Sequence, residues 1–404
     1  MALLLLSAST STTMSGPPFS SANTSIPTSL SSFPPITPFT TLRSYLTSLA
    51  LPLEDHYTTT TDGYILHLHR LPRPGQPVVF LQHGILASSW CWFTNSPDAS
   101  AAIALYRRGY DVWLGNSRGN EFSRNHTTLS PSSTAFWNYT FDEMGRYDAP
   151  AQVAYAARAT GRRMAFVGWS QGNTQFLVGA SAGGAPSAAL AAHVSLYVGI
   201  SPVTYLRDSS SLLLSTLSEA GVPAILDDLY PYAFLSGSAA MHSLEEALCK
   251  ITLGIVCKLT VASICGQSAM DDAEMMERLS AHFPAGTSVK DMVHYSQFIN
   301  TKPAFFGRYD YGKEANQRAY GSATPPAYDL SAVSSPPLAF LLAGNDDLVA
   351  PTDSERMLSE LPHKSQVFVK TYADFSHLTW VSGTQAAWDE WSSDLFNLLD
   401  KYNS

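Results

Sequence analysis

Apolar and polar positions along the chain fall into short runs of alternating character. Residues 63–70 (GYILHLHR) alternate apolar with polar, the period of a half-exposed strand. Residues 77–82 (PVVFLQ) are a short continuous apolar run, as expected of a strand buried on both faces. Residues 101–108 read as a helix and 110–115 (YDVWLG) as the next strand. Residues 141–160 carry helical spacing, with Asp142 and Glu143 early and Arg158 late, as the helix dipole favours. A buried strand follows at 164–168, a helix at 171–179 and a strand at 194–200. Between 202 and about 327 this alternation stops. That stretch is helix-like, with apolar faces at 212–217, 222–229 and 244–265. A strand at 337–343 (PLAFLLA), a helix at 354–360, a strand at 366–372 and a helix at 386–401 close the chain.

Strands alternating with helices predict an α/β fold, with a mostly parallel sheet covered by helices on both faces. The interruption reads as one largely helical cap inserted at the carboxyl edge of that sheet. The expected organisation is a leader over 1–42, a first core part over 43–202, the cap over 203–328 and a second core part over 329–404.

Composition changes this picture at its ends. Of the first 41 residues, 24 are Ser, Thr or Pro, and the first charged side chain is Arg43. Such a composition cannot build a core, so the leader reads as targeting or disordered sequence. Met1 begins a run MALLLLSA that resembles a secretory apolar region, without a basic flank. Only 14% of the 404 residues are charged, against a usual ~25%. The formal net charge is −9 and no Lys/Arg run exceeds a pair, which excludes nucleic acid as an expected partner. No window reaches ~18 uninterrupted apolar residues, so no membrane span is expected. Sequons begin at Asn23, Asn125 and Asn138, and would matter only in the secretory path.

Cys249, Cys257 and Cys265 are spaced by eight, while Cys91 stands apart. Eight residues of continuous helix rise ~12 Å, whereas a disulfide needs Cα atoms within ~7 Å. A bridge among these three therefore needs a broken helix, and Gly254 lies between the first two. No CxxC pair or histidine cluster accompanies them, so no metal site is expected.

The pattern G-x-S-x-G occurs around Ser117, Ser170 and Ser181. A nucleophilic serine must stand on a sharp turn between a buried strand and a helix. Ser181 lies at a helix end, where Gly183 and Gly184 read as a stop. Ser117 follows a strand, but the residues after it (EFSRNHTTLSPSS) cannot begin a helix. Ser170 alone has both, and Gly168 and Gly172 let strand and helix cross closely. In this strand–helix arrangement the acid follows the serine and the histidine comes last. Asp346 and Asp347 end the strand at 337–343; Asp346, nearer the strand, is preferred, leaving Asp347 as a solvated loop charge. Beyond them lie only His363, in a polar loop before a strand, and His377, in the loop after the last strand. His377 is the expected base. The oxyanion donors are expected at the backbone N–H of Gln171, after the nucleophile, and of Ile85, in the run HGIL after the strand 77–82. The His83 side chain reads as support for that loop.

With these residues assembled, the chain resembles the acid lipase family of α/β-hydrolases, which includes the gastric and lysosomal acid lipases. The resemblance is carried by LQHGILASSWCW, YDVWLGNSRGN, FWNYTFDEMGRYDAPA, GWSQG, HFPAGTSVKDM and AGNDDLVAP, from about Leu51 to Trp380. It implies Ser170 as nucleophile, Asp346 as acid, His377 as base, and Ile85 and Gln171 as oxyanion donors. It also implies a cap with a cysteine cluster and a secreted, lysosomal or vacuolar glycoprotein. Trp169 departs from the family, where many members have His, and so does the cysteine spacing. The expected activity is cofactor-free hydrolysis of lipid esters, triacylglycerol or steryl ester, through an acyl-enzyme at a lipid–water interface. Peripheral contact with a membrane or lipid droplet would follow. The alternatives are a carboxylesterase or acyltransferase on smaller esters, and a non-catalytic lipid-binding protein on the same scaffold.

Overall fold

A computed structural model describes residues 33–211, 233–234, 266–299 and 301–403. The expected cap faces at 212–217, 222–229 and 244–265, the three clustered cysteines and Asn23 lie outside the described residues. Helix α1 (Leu42–Ser48) leads into β1 (Glu54–Thr59) and β2 (Tyr64–Leu71), an antiparallel pair. The chain continues through β3 (Val78–Gln82), α2 (Ala101–Arg107), β4 (Asp111–Gly115) and β5 (Asn125–His126). Then come α3 (Phe141–Glu143), α4 (Ala149–Thr160), β6 (Met164–Trp169), α5 (Gln171–Ser181), α6 (Gly184–His193) and β7 (Val194–Ile200). A two-residue pair, β8 (Ala233–Phe234) with β9 (Thr287–Ser288), stands apart from the main sheet. β10 (Leu338–Ala343) and β11 (Gln366–Tyr372) complete the sheet.

The strand order is β1-β2-β4-β3-β6-β7-β10-β11, with β5 on β2. β2 runs antiparallel to both neighbours, and every pairing from β4 onward is parallel. Strands β3, β4, β6 and β10 are buried along their whole length, which is why they are continuous apolar runs. Alternate residues feed two cores. Val79, Leu81, Val167 and Leu341 join Trp90, Trp391 and Leu395 on one side. Phe80, Phe166 and Phe340 join Phe176 and Tyr197 on the other. The uncharged segment 164–206 contains β6, α5 and β7; every residue of α5 from Gln171 to Ala180 is buried. A helix enclosed all round has no place for charge.

Four local features differ from the periodicity. The helix expected over 141–160 is α3, a π-turn at Met144–Asp148 and then α4, whose first turn holds Pro150. Proline has no N–H to donate back along the helix, so the ladder changes register there. Gly145 sits in that turn because a Cβ would stand 2.6 Å from Val178 Cβ on α5. α6 follows directly on the stop at Gly183, which has φ 68°, and its Ala-rich sequence offers no amphipathic signal. β1 (EDHYTT) is a polar edge strand with only Thr58 buried. Packing also begins before Arg43, since Ile36 is buried and Pro34 O accepts from Arg278 Nη1 at 2.8 Å. No helix among the described residues is long and apolar enough to cross a membrane.

Candidate active site

Ser170 is the first residue after β6, and α5 starts at the next. Its φ of 53° and ψ of −122° are a conformation that L-residues rarely adopt, and it turns the side chain out of the strand–helix junction. Both flanking glycines are needed by close approach. A Cβ at Gly168 would lie 2.4 Å from Asn173 Oδ1, and one at Gly172 would lie 2.5 Å from the Gln82 carbonyl oxygen. Gly168 thus serves the strand–helix crossing, whereas Gly172 lets α5 approach the end of β3.

Ser170 Oγ lies 2.8 Å from His377 Nε2, and His377 Nδ1 lies 2.7 Å from Asp346 Oδ2. The residues come from the ends of β6, β10 and β11, and all three are buried. Asp346 Oδ1 accepts from the backbone N–H of Leu348 and Val349, each at 2.9 Å, so the carboxylate is fixed with Oδ2 toward the imidazole. The carboxylate accepts a hydrogen bond from Nδ1–H, which leaves Nε2 with a lone pair for the serine hydroxyl. Asp347 is exposed and accepts from Ser210 Oγ, and His363 is exposed. Ser117 Oγ accepts from Gln82 Nε2 and Gln175 Nε2, and Ser181 Oγ donates to Val178 O; neither hydroxyl meets an imidazole.

Gln171 opens α5, so its N–H has no intrahelical acceptor and lies at the positive end of the helix dipole. The HGIL loop lies directly against the serine, since a Cβ on Gly84 would stand 2.9 Å from Ser170 Cβ. No hydrogen bond to the Ile85 N–H occurs among the described residues. His83 braces this loop from below. Its Nδ1–H donates to Gly84 O at 2.7 Å, while Nε2 accepts from Ser117 N–H at 3.0 Å and Asn120 Nδ2 at 3.1 Å. Burial lowers its pKa to about 4, which keeps the ring neutral and able to accept. Leu86, at φ 58°, accepts from Ala285 N–H at 2.6 Å through its carbonyl.

The sequence reading missed several groups around this centre. Trp169 Nε1 donates to His377 O at 3.0 Å. Asp271 accepts from Ser376 Oγ at 3.0 Å and from Thr379 Oγ1 at 2.5 Å, holding the His377 loop from both sides. Asp291 is fully buried and accepts from Phe141 N–H and Thr287 Oγ1. Desolvation raises its pKa to about 7, against the pull of those bonds and of the Gln171 carboxamide. Ala285 and Asp291 both lie in HFPAGTSVKDM, a motif whose register alone assigns them no task.

Residues 42–96 match the family described as a partial alpha/beta-hydrolase lipase region, and residues 77–383 match that described as the alpha/beta hydrolase fold. Gastric triacylglycerol lipase of Homo sapiens is 33% identical over 371 residues, covering 88% of this chain and 90% of its own. The Bos taurus gastric triacylglycerol lipase is 36% identical over 348 residues, covering 82% and 84%. Lysosomal acid lipase/cholesteryl ester hydrolase of Homo sapiens is 33% identical over 366 residues, covering 87% and 88%. A solved soluble variant of monoglyceride lipase from Saccharomyces cerevisiae covers 88% of this chain and 96% of its own, with a TM-score of 0.51 at 15% identity. That last likeness is one of fold.

Proposed function

The chain belongs to the α/β-hydrolase lipase family, and from that premise we propose that it hydrolyses carboxylic esters of lipids with Ser170 as nucleophile. The observation that carries this reading is the unbroken chain Ser170 Oγ–His377 Nε2, His377 Nδ1–Asp346 Oδ2, at 2.8 and 2.7 Å. Ser170 Oγ attacks the ester carbonyl carbon while His377 Nε2 takes its proton. The N–H groups of Ile85 and Gln171 hold the oxyanion, a contribution of about 10²–10³ in rate per donor. His377 then gives its proton to the departing alcohol oxygen. Water, deprotonated by the same nitrogen, attacks the acyl-Ser170 ester and releases the fatty acid. Asp346 stays ionised and fixes the imidazole tautomer.

Triacylglycerol and steryl ester are the substrate classes we favour, as the names of the gastric and lysosomal relatives suggest. Residues 203–328 are the proposed cap over the site, with the pairing among Cys249, Cys257 and Cys265 left to chemistry. Its apolar faces would meet the lipid surface. The leader would direct the chain into the secretory path, where the exposed Asn125 and Asn138 are available for glycosylation.

The test compares wild type and Ser170→Ala on triolein, cholesteryl oleate and a short nitrophenyl ester. The expected result is turnover of at least one long-chain ester by wild type and loss of all three activities in the variant. Turnover of the short ester alone would overturn the lipase assignment, and activity surviving in Ser170→Ala would overturn the mechanism.

A further inference from the structure

Away from the active site, three side chains converge on the β1–β2 pair. Asp55 of β1 lies opposite His69 of β2 in the register, and His67 is two residues earlier on the same strand. Residues two apart on a strand share a face, so both imidazoles rise on the side of the Asp55 carboxylate. His67 Nε2 lies 2.9 Å and His69 Nε2 lies 3.6 Å from the same oxygen, Asp55 Oδ1. One donor atom from each of the three residues falls within 4.8 Å of the others.

We propose that Asp55, His67 and His69 form a binding site for a divalent transition-metal ion, with Zn²⁺ the best match. Metal–ligand bonds of ~2.0–2.2 Å in a tetrahedron put donor atoms roughly 3.3 Å apart, which the two distances to Oδ1 bracket. Two imidazoles and a carboxylate favour borderline cations such as zinc over the oxygen-seeking Mg²⁺ and Ca²⁺. Outer partners already aim the rings. His69 Nδ1 lies 2.8 Å from Ser89 Oγ, turning Nε2 toward Asp55. His67 stacks on Tyr57 at 4.5 Å between ring centroids and meets Phe122 edge-on. Ser89 is itself held by Asn116, whose Oδ1 accepts from Ser89 N–H at 2.9 Å and from Asn120 Nδ2 at 3.0 Å. The site is therefore built on the polar network that also braces His83. Asp55 is exposed, so the fourth coordination position opens to solvent. The Arg43 guanidinium bonds the other oxygen, Oδ2, and among the described residues is the cation in direct competition.

This site was not expected from the sequence, because its spacing is that of a strand pair: His-x-His on β2 and an aspartate brought across by register. The test titrates chelator-stripped full-length chain with zinc chloride, read by calorimetry and by the shift in Tm. Wild type is expected to bind one Zn²⁺ at this site and to gain Tm with zinc. His67→Ala and Asp55→Asn, both at partly exposed positions, should each lose about tenfold or more in affinity and most of the Tm gain. Arg43→Ala should bind at least as tightly as wild type. Unchanged affinity in both His67→Ala and Asp55→Asn, or no binding by wild type at micromolar free zinc, would overturn the proposal. Ester hydrolysis is not the readout, so either result leaves the assignment of Ser170 standing.

Discussion

The indole N–H of Trp169 donates to the main-chain carbonyl of His377 at 3.0 Å, so the residue immediately before Ser170 holds the backbone of the imidazole that Ser170 bonds. The ring centroids of the two lie 5.9 Å apart. Trp169 therefore has a structural task beside the triad candidates. Trp169→Phe keeps an aromatic ring and removes the bond. One neutral hydrogen bond contributes about 0.5–1.5 kcal/mol, so kcat should fall by up to about tenfold with KM little changed. Steady-state kinetics on a soluble ester check this; a rise in KM at constant kcat would show that Trp169 acts on substrate binding instead.

Gly84 presses its α-carbon against Ser170. A Cβ there would stand 2.9 Å from Ser170 Cβ and 3.1 Å from the Trp169 ring. Gly84→Ala should displace the HGIL loop and lower kcat by about 10²-fold, the order expected of an ångström-scale misplacement at a reacting centre. A far-UV circular dichroism spectrum matching wild type would separate this from unfolding.

Arg118 is buried with its guanidinium bonded to Asp148 at 2.6 and 2.8 Å and to Asp62 at 2.7 Å, under the Tyr64 ring. The Asp148 side chain is 0% exposed. Arg118→Met leaves that carboxylate buried without its counter-charge, at an expected cost of about 3–5 kcal/mol in unfolding free energy. Urea denaturation at neutral pH measures it. A loss under about 1 kcal/mol would mean that water reaches Asp148 and takes the place of the guanidinium.

Asp291 gives the fold a pH dependence of known sign. Burial raises its pKa from 3.8 to about 7. In that interval the folded chain keeps a proton that the unfolded chain has released, so raising the pH favours unfolding. The stability of wild type relative to Asp291→Asn should therefore decline as pH rises from about 4 to about 7 and level off above. Paired denaturation curves across that range test it, and a constant difference would contradict it.

The proposed reacting groups were legible because each follows a strand that the sequence pattern identifies. β6 is six consecutive buried residues and Ser170 follows it; Asp346 and His377 follow β10 and β11 in the order this arrangement requires. Their supports were not legible, and the reason is physical. Asp271 and Asp291 read as ordinary polar positions near helices, yet one clamps the His377 loop and the other caps α3 from 150 residues away. β1 escaped notice because an edge strand with one buried residue lacks an apolar face, and α6 because alanine carries little hydrophobic contrast. Local pattern reports what a segment buries, and says nothing of which distant segment it braces.

The identity of the nucleophile is open to one direct measurement. Wild-type chain treated with a long-chain alkyl phosphonate ester, then digested and mapped by mass spectrometry, should carry a single adduct on Ser170, with activity lost in proportion to labelling. Ser170→Ala should remain unlabelled. An adduct on Ser117 or Ser181 that tracks the loss of activity, or full activity in chain labelled at Ser170, would contradict the mechanism.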